Sequence, residues 1–167
     1  MQTFITSKYS AQIAQDLDNK RLHKQALEAW QILMVLCELD PEGNYRAPKG
    51  WVNHPAVKMW RGSEYYLYYY ACNMVDEWVS RGYKSTLKEK LHKTIMAAEK
   101  KGIVSFGDGI NEPSWWLDEE VMNKVISSHR RALLVKNYEW YHNLDWEEDT
   151  EFYPETYEYV WPEPKNI

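Results

Sequence analysis

The sequence predicts an all-α fold: one compact helical domain of about four helices, carrying an irregular, aromatic and acidic carboxy-terminal tail. Three observations lead there. Apolar residues recur at three- and four-residue spacing over long stretches. Capping residues and glycines bracket those stretches. The 167 residues suit a single core, and nine Trp and thirteen Tyr supply large rings that stabilise a small helical domain.

The elements follow in order. Ser10 is placed to cap a helical turn over residues 11–16, and Asp18 to cap a longer helix running to about Leu39. On that helix Leu22, Ala26, Ala29, Trp30, Leu33 and Leu36 fall within an arc of about 120°, a core-facing stripe. Arg21, Lys24, Gln25 and Glu28 fill a separate arc of about 100°. Asp40-Pro41-Glu42-Gly43 ends the helix, and a turn-rich loop runs to Asn53. A second long helix is expected from Pro55 to Arg81, with Gly82 as its carboxy-terminal cap. Its SEYYLYYY stretch could pass for a strand, but Val57, Trp60, Leu67, Ala71, Met74, Val75 and Trp78 keep helical spacing. A third helix, Ser85–Lys101, stops at Gly102, and Ile103–Leu117 reads as a loop ending in Trp115-Trp116. Asp118 caps a fourth helix, Glu119–Asn137. The remainder, Tyr138–Ile167, is punctuated by Pro154, Pro162 and Pro164 and reads as an ordered tail packed by its aromatics. No second domain is needed.

The net charge is −5, but its distribution says more than the sum. Residues 1–110 carry 15 Lys/Arg against 12 Asp/Glu, and residues 111–167 carry 5 against 13. A basic amino-terminal face could bind phosphates while an acidic tail stays apart; an ordinary acidic protein with a solvated tail fits the charge equally well. No apolar run reaches the roughly 20 residues of a membrane span, and no leader is evident, so a cytoplasmic protein is expected. Cys37 and Cys72 lie in predicted helices without CxxC spacing and read as buried thiols.

Several chemistries are missing. The chain has no Walker or dinucleotide glycine loop, no HExxH and no GxSxG, and its His, Asp and Glu lack metal-ligand spacing, so neither cofactor nor metal is expected. What remains is DNKRLHKQALEAW (18–30), which concentrates Lys20, Arg21, Lys24, Gln25 and Glu28, and the Asn53-His54-Pro55 turn. Cations around one carboxylate suit an anionic substrate and a proton transfer. The same residues also suit a surface ion-pair network, and His54 a structural role. Ser128-His129-Arg130-Arg131 forms a further polar cluster. A nucleophile would come from a lysine or from the α-amine of residue 1, whose reference pKa near 8 leaves part of it unprotonated at neutral pH.

The runs LDNKRLHKQALEAWQIL (17–33), GWVNHPAVKMW (50–60), EWVSRGY (77–83), SHRRALLVK (128–136) and YVWP (159–162) resemble, in order, the pyrimidine-dimer DNA glycosylase family, the phage-type endonuclease V. The closest likeness is to a branch that begins MQTF and ends YVWP. The resemblance implies an all-helical single domain and a bifunctional glycosylase/AP lyase. Its amino-terminal amine, here that of Met1, attacks C1′ to give a Schiff base, and β-elimination then nicks the strand. Glu28 matches the glutamate that assists. The position before it, an arginine in the family pattern, is Leu27 here, and Gln2 follows Met1 where the phage prototype exposes threonine. On this likeness the DNA-binding candidates are Gln2, Thr3, Lys20, Arg21, Lys24, Gln25, His54, Arg61, His129 and Arg130. The implied partner is DNA or a nucleotide, without membrane. Two other readings fit the residues: a non-catalytic nucleotide or nucleic-acid binder using the same basic pocket, and an interaction domain whose acidic tail mimics nucleic acid.

Overall fold

The structure, a computed structural model, describes residues 1–106, 111–150 and 156–162. It is all-helical: the described residues form no strand, only an isolated bridge between Leu39 and Tyr45. The described residues form eight α-helical segments: α1 (Ser10–Asp16), α2 (Asn19–Cys37), α3 (Pro55–Lys58), α4 (Glu64–Ser80), α5 (Leu87–Lys100), α6 (Ser114–Leu117), α7 (Glu119–Lys136) and α8 (Tyr138–Tyr141). Short 3-10 turns at Gly50–Asn53, His142–Leu144 and Glu147–Thr150 join or extend them.

Two of the three expected amino-terminal caps form, and Gly82 ends its helix as expected, with φ 95°. Asp18 accepts the Arg21 N–H at 3.2 Å and Asp118 accepts the Val121 N–H at 3.2 Å, satisfying donors that a helix start leaves open. Ser10 makes no cap; it is the first residue of α1, behind Tyr9. Helix α2 ends at Cys37, where Glu38 enters the left-handed region at φ 54°.

The single helix expected over Pro55–Arg81 is two. Helix α3 closes after one turn, Ser63 N–H bonds back to Trp60 O at 2.9 Å, and Gly62 takes φ +83°, a conformation that stops a helix and suits glycine. At the break Trp60 lies fully buried in the core among Tyr66, Tyr70, Trp115 and Trp116. The expected Ile103–Leu117 loop is also corrected at its end: Trp115 and Trp116 lie buried on α6, and Trp115 Nε1 donates to Met59 O at 2.6 Å. Part of that loop (107–110) and part of the tail (151–155 and 163–167) lie outside the described residues. Both cysteines are buried free thiols, and burial pushes that of Cys37 up to about 12.

Helices α2 and α4 form the central pair, flanked by α1 and α5, while α7 packs on α6 and α8. Residues 2–6 run buried between these two groups. Their backbone lies outside any helix or strand and cannot satisfy itself, so neighbouring side chains complete it. Gln25 of α2 accepts Phe4 N–H at 2.6 Å and donates to Gln2 O at 2.8 Å. Tyr70 of α4 donates to Phe4 O at 2.7 Å. From α7, His129 Nδ1 accepts Ile5 N–H at 2.8 Å, and Arg130 donates to Thr6 O at 3.0 Å. The start of the chain is therefore held inside the molecule from both sides. Among the described residues no helix is long and apolar enough to cross a membrane.

Candidate functional site

The threaded segment ends beside a carboxylate. Gln2 N–H donates to Glu28 Oε2 at 3.1 Å, and Gln25 Nε2 approaches the same oxygen at 3.3 Å. The other oxygen, Oε1, lies 3.9 Å from Lys24 Nζ. Glu28 thus anchors the first peptide with one oxygen and keeps the second for its surroundings. Its side chain is only 15% exposed. Around it opens a cavity of about 250 Å³, lined by Met1, Gln2 and Phe4 of the segment, by Lys20, Arg21, Lys24, Gln25 and Glu28 of α2, and by Lys136 and Tyr159. Four cations thus face one acid.

Helical spacing explains the α2 contribution. Positions 20, 21, 24, 25 and 28 repeat at one, three and four residues and so share a side, opposite the buried stripe of Leu22, Ala29 and Leu33. Arg21 is held in place by Asp18, 2.8 Å from its guanidinium, and Asp18 also receives Asn137 Nδ2 at 2.7 Å and the Tyr141 hydroxyl at 3.1 Å. That network pins the end of α7 to the start of α2, which brings Lys136 to the cavity. Lys136 Nζ stands 4.8 Å from the Tyr157 ring centre, and its hydrogen bond, chiefly, lowers the Tyr157 pKa.

His54 caps α3, its Nδ1 accepting Ala56 N–H at 3.0 Å. The neutral ring then carries its proton on Nε2. Burial lowers the His54 pKa, and the positive charge of the amino terminus lowers it further, which puts the imidazole within electrostatic reach of the Met1 amine. The ring lies between Trp51 (5.3 Å) and Trp161 (5.9 Å). Trp161 in turn meets Tyr159, whose ring abuts Phe4 and His129, so the described tail closes over the threaded segment. On its other side Met1 borders a second cavity of about 440 Å³, among Met34, Val35, Arg46, Lys49 and Trp51.

Met1, Gln2, Lys20, Arg21, Lys24, Gln25 and Glu28 are therefore brought together, with His54 nearby. The remaining candidates are not. Thr3 is fully buried, accepting Trp60 Nε1 at 2.9 Å, and has no surface for DNA. His129 is fully buried as well, and burial depresses its pKa to about 3. Its Nε2 has no hydrogen-bond partner, but the ring stands edge-on to Tyr159 at 5.6 Å. Gln25, though it borders the cavity, is 2% exposed and spends its amide on the segment. Arg130 is engaged by Thr6 O and Glu148 and lies over Trp146. Thr3, His129 and Arg130 thus secure the amino-terminal segment away from the cavity, whereas Gln25 both borders the cavity and holds the segment. Arg61 is exposed, apart from the cavity, and bonds Val52 O at 3.2 Å. Lys136, Tyr159 and Phe4 are the cavity residues that the sequence reading leaves out. The i, i+7 relation of Lys136 to His129, two turns along one helix face, is the signal that could have found the first.

Among the described residues no group of three or more His, Cys, Asp and Glu side chains is placed to hold a metal ion. No curated protein and no solved structure gives a significant match to the chain. A family model described as pyrimidine dimer DNA glycosylase matches residues 1–91, just over half of the sequence, and that stretch contains the threaded segment, all of α2 and the His54 turn. The chain belongs to the pyrimidine dimer DNA glycosylase family, a family of DNA glycosylases.

Proposed function

We propose that this protein excises a damaged pyrimidine from DNA and then cleaves the strand, with the Met1 α-amine as nucleophile and Glu28 as its acidic partner. The bond from Gln2 N–H to Glu28 Oε2 carries the reading, because it ties the carboxylate to the peptide next to that amine. The unprotonated amine attacks C1′, and the glycosidic bond breaks towards the base, which leaves with the electron pair and gains a proton. The nitrogen gives up a proton, O4′ gains one as the ring C1′–O4′ bond opens, and the products are a free hydroxyl and a protonated imine. Loss of a C2′ proton then expels the 3′ phosphate, and water releases the amine. Glu28 Oε1 stabilises the positive charge on sugar and imine and accepts a proton, work suited to a carboxylate within a poorly solvated cavity. Lys20, Arg21, Lys24 and Lys136 hold the flanking phosphates.

Borohydride reduces an imine to a stable amine, so the protein incubated with abasic-site DNA and borohydride is expected to yield a covalent adduct that peptide mapping locates at Met1. Glu28→Gln keeps an oxygen for the Gln2 N–H but loses the charge. It is expected to bind the same DNA and to form adduct about 10²–10⁴-fold more slowly. An unaltered protein that binds abasic DNA but is never trapped is a binder only, and that result overturns the catalytic reading.

A further inference from the structure

Glu28 has an unexpected neighbour. Leu27 is 37% exposed and borders a groove of about 730 Å³ lined by His23, Leu27, Val79, Tyr83, Lys84 and Lys90 among others. Val79 and Tyr83 are likewise exposed, 52% and 42%. The groove is built rather than incidental. Tyr83 stacks on Trp78 at 4.2 Å and leaves its other face open, while its hydroxyl receives Asn19 Nδ2 at 3.3 Å. The turn carrying it is fixed by Trp78 Nε1 donating to Lys84 O at 3.1 Å and by Ser85 Oγ 3.0 Å from His23 Nε2. Lys90 is drawn towards α2, its Nζ 5.5 Å from the Trp30 ring centre.

Its charge has one sign. The lining holds no carboxylate among the described residues. Two acids at the nearby end of α4 are neutralised, Asp76 by Lys88 at 2.6 Å and Glu77 by Arg81 at 3.0 Å. Groove and cavity share one ridge of α2: Lys20, Lys24 and Leu27 recur at i, i+4 and i+7, and the first two line the cavity while the third lines the groove. From Lys20 to Leu27 is about 10 Å along the axis.

Resting on the function proposed above, we infer that the groove carries the DNA strand flanking the lesion, with phosphates on Lys84 and Lys90 and a base against Leu27, Val79 and the open face of Tyr83. Lysines alternating with apolar and aromatic surface, and no acid among them, match a strand that presents phosphates and base faces in turn. The ridge is where that strand passes from the cavity.

The test compares binding of abasic-site DNA with flanks of two or of eight nucleotides on either side, for the unaltered chain, Lys84→Gln and Lys84→Gln/Lys90→Gln. Both lysines are exposed, and thermal melting verifies the fold. For the long flank the double variant is expected to bind about tenfold more weakly, with a salt slope smaller by about 1.8, two phosphates' worth. Lys84→Gln should lose about half that slope, and the short flank should not distinguish the proteins. Equal affinity and equal slope on the long flank overturn the inference. A dimer of the DNA-free protein that the double variant abolishes also overturns it, assigning the groove to a second copy. Borohydride trapping of the unaltered protein reports separately on the catalytic reading, so either proposal can fail alone.

Discussion

Residue by residue, the site divides into groups that reach a ligand and groups that hold the chain. The cavity's acid and three of its cations were legible because charged residues at one, three and four spacing on a helix must share a side, and that spacing is written in 20–28. That Thr3, Gln25 and His129 are buried was not legible, because polarity shows that a side chain needs a partner, not whether that partner is solvent, ligand or backbone. The cost of holding backbone with an imidazole is open to measurement. His129 stays neutral in the folded protein down to about pH 3, whereas an exposed histidine takes up a proton below about 6.5. The unfolded chain therefore binds more protons throughout that interval. The stabilisation is complete above pH 6.5 and is lost as pH falls towards 3, about 5 kcal/mol in all. His129→Asn keeps an oxygen near the place of Nδ1 but has no titrating group. Urea unfolding at several pH values should show the variant less stable than the unaltered chain at pH 7, with the gap closing as pH drops to 4. Parallel curves would refute this.

At the scale of elements, starts were easier to read than continuity. Asp18 and Asp118 cap as expected because aspartate satisfies a free helix N–H, a local matter. The break between α3 and α4 was hidden because both segments keep apolar residues in helical register, and the reason for it, Trp60 entering the core to meet Thr3, is tertiary. Lys136 lies far from α2 in sequence, and the Asp18 network that brings it near cannot be inferred from spacing. That network makes Asp18 more than a cap: besides the Arg21 N–H its carboxylate receives Arg21, Asn137 and Tyr141. Asp18→Ala should cost about 2–4 kcal/mol, about 1 from the cap and the rest from buried polar groups left unpaired. Asp18→Asn retains an acceptor for the cap and should cost less than half as much. Equal losses in denaturant melts would mean that the carboxylate's further bonds contribute nothing.

For the molecule as a whole, the amino-terminal segment decides how many units unfold. Helix α7 packs on α6 and α8, and it reaches the α2–α4 pair largely through residues 4–6, which give hydrogen bonds to both sides. Composition could not reveal this, since the segment MQTFIT looks unremarkable and its importance lies in what closes around it. The charge imbalance was readable and has a structural counterpart, with one exception: the fourth cavity cation, Lys136, comes from the acidic half of the chain. If the segment joins both groups, neither keeps a complete core without the other, and the chain should unfold in one cooperative step. Tryptophan fluorescence weighted towards Trp140 and Trp146, packed with α8 and the turn after it, should then melt together with the helical signal of the whole. Placing Gly-Ser ahead of Met1 tests the same segment from its open end. Met1 is only partly buried and borders two cavities, so the extension should leave the melting temperature within a few degrees while abolishing the borohydride adduct. A loss of both would show that the end is sealed into the core, and retention of the adduct would move the nucleophile to a lysine.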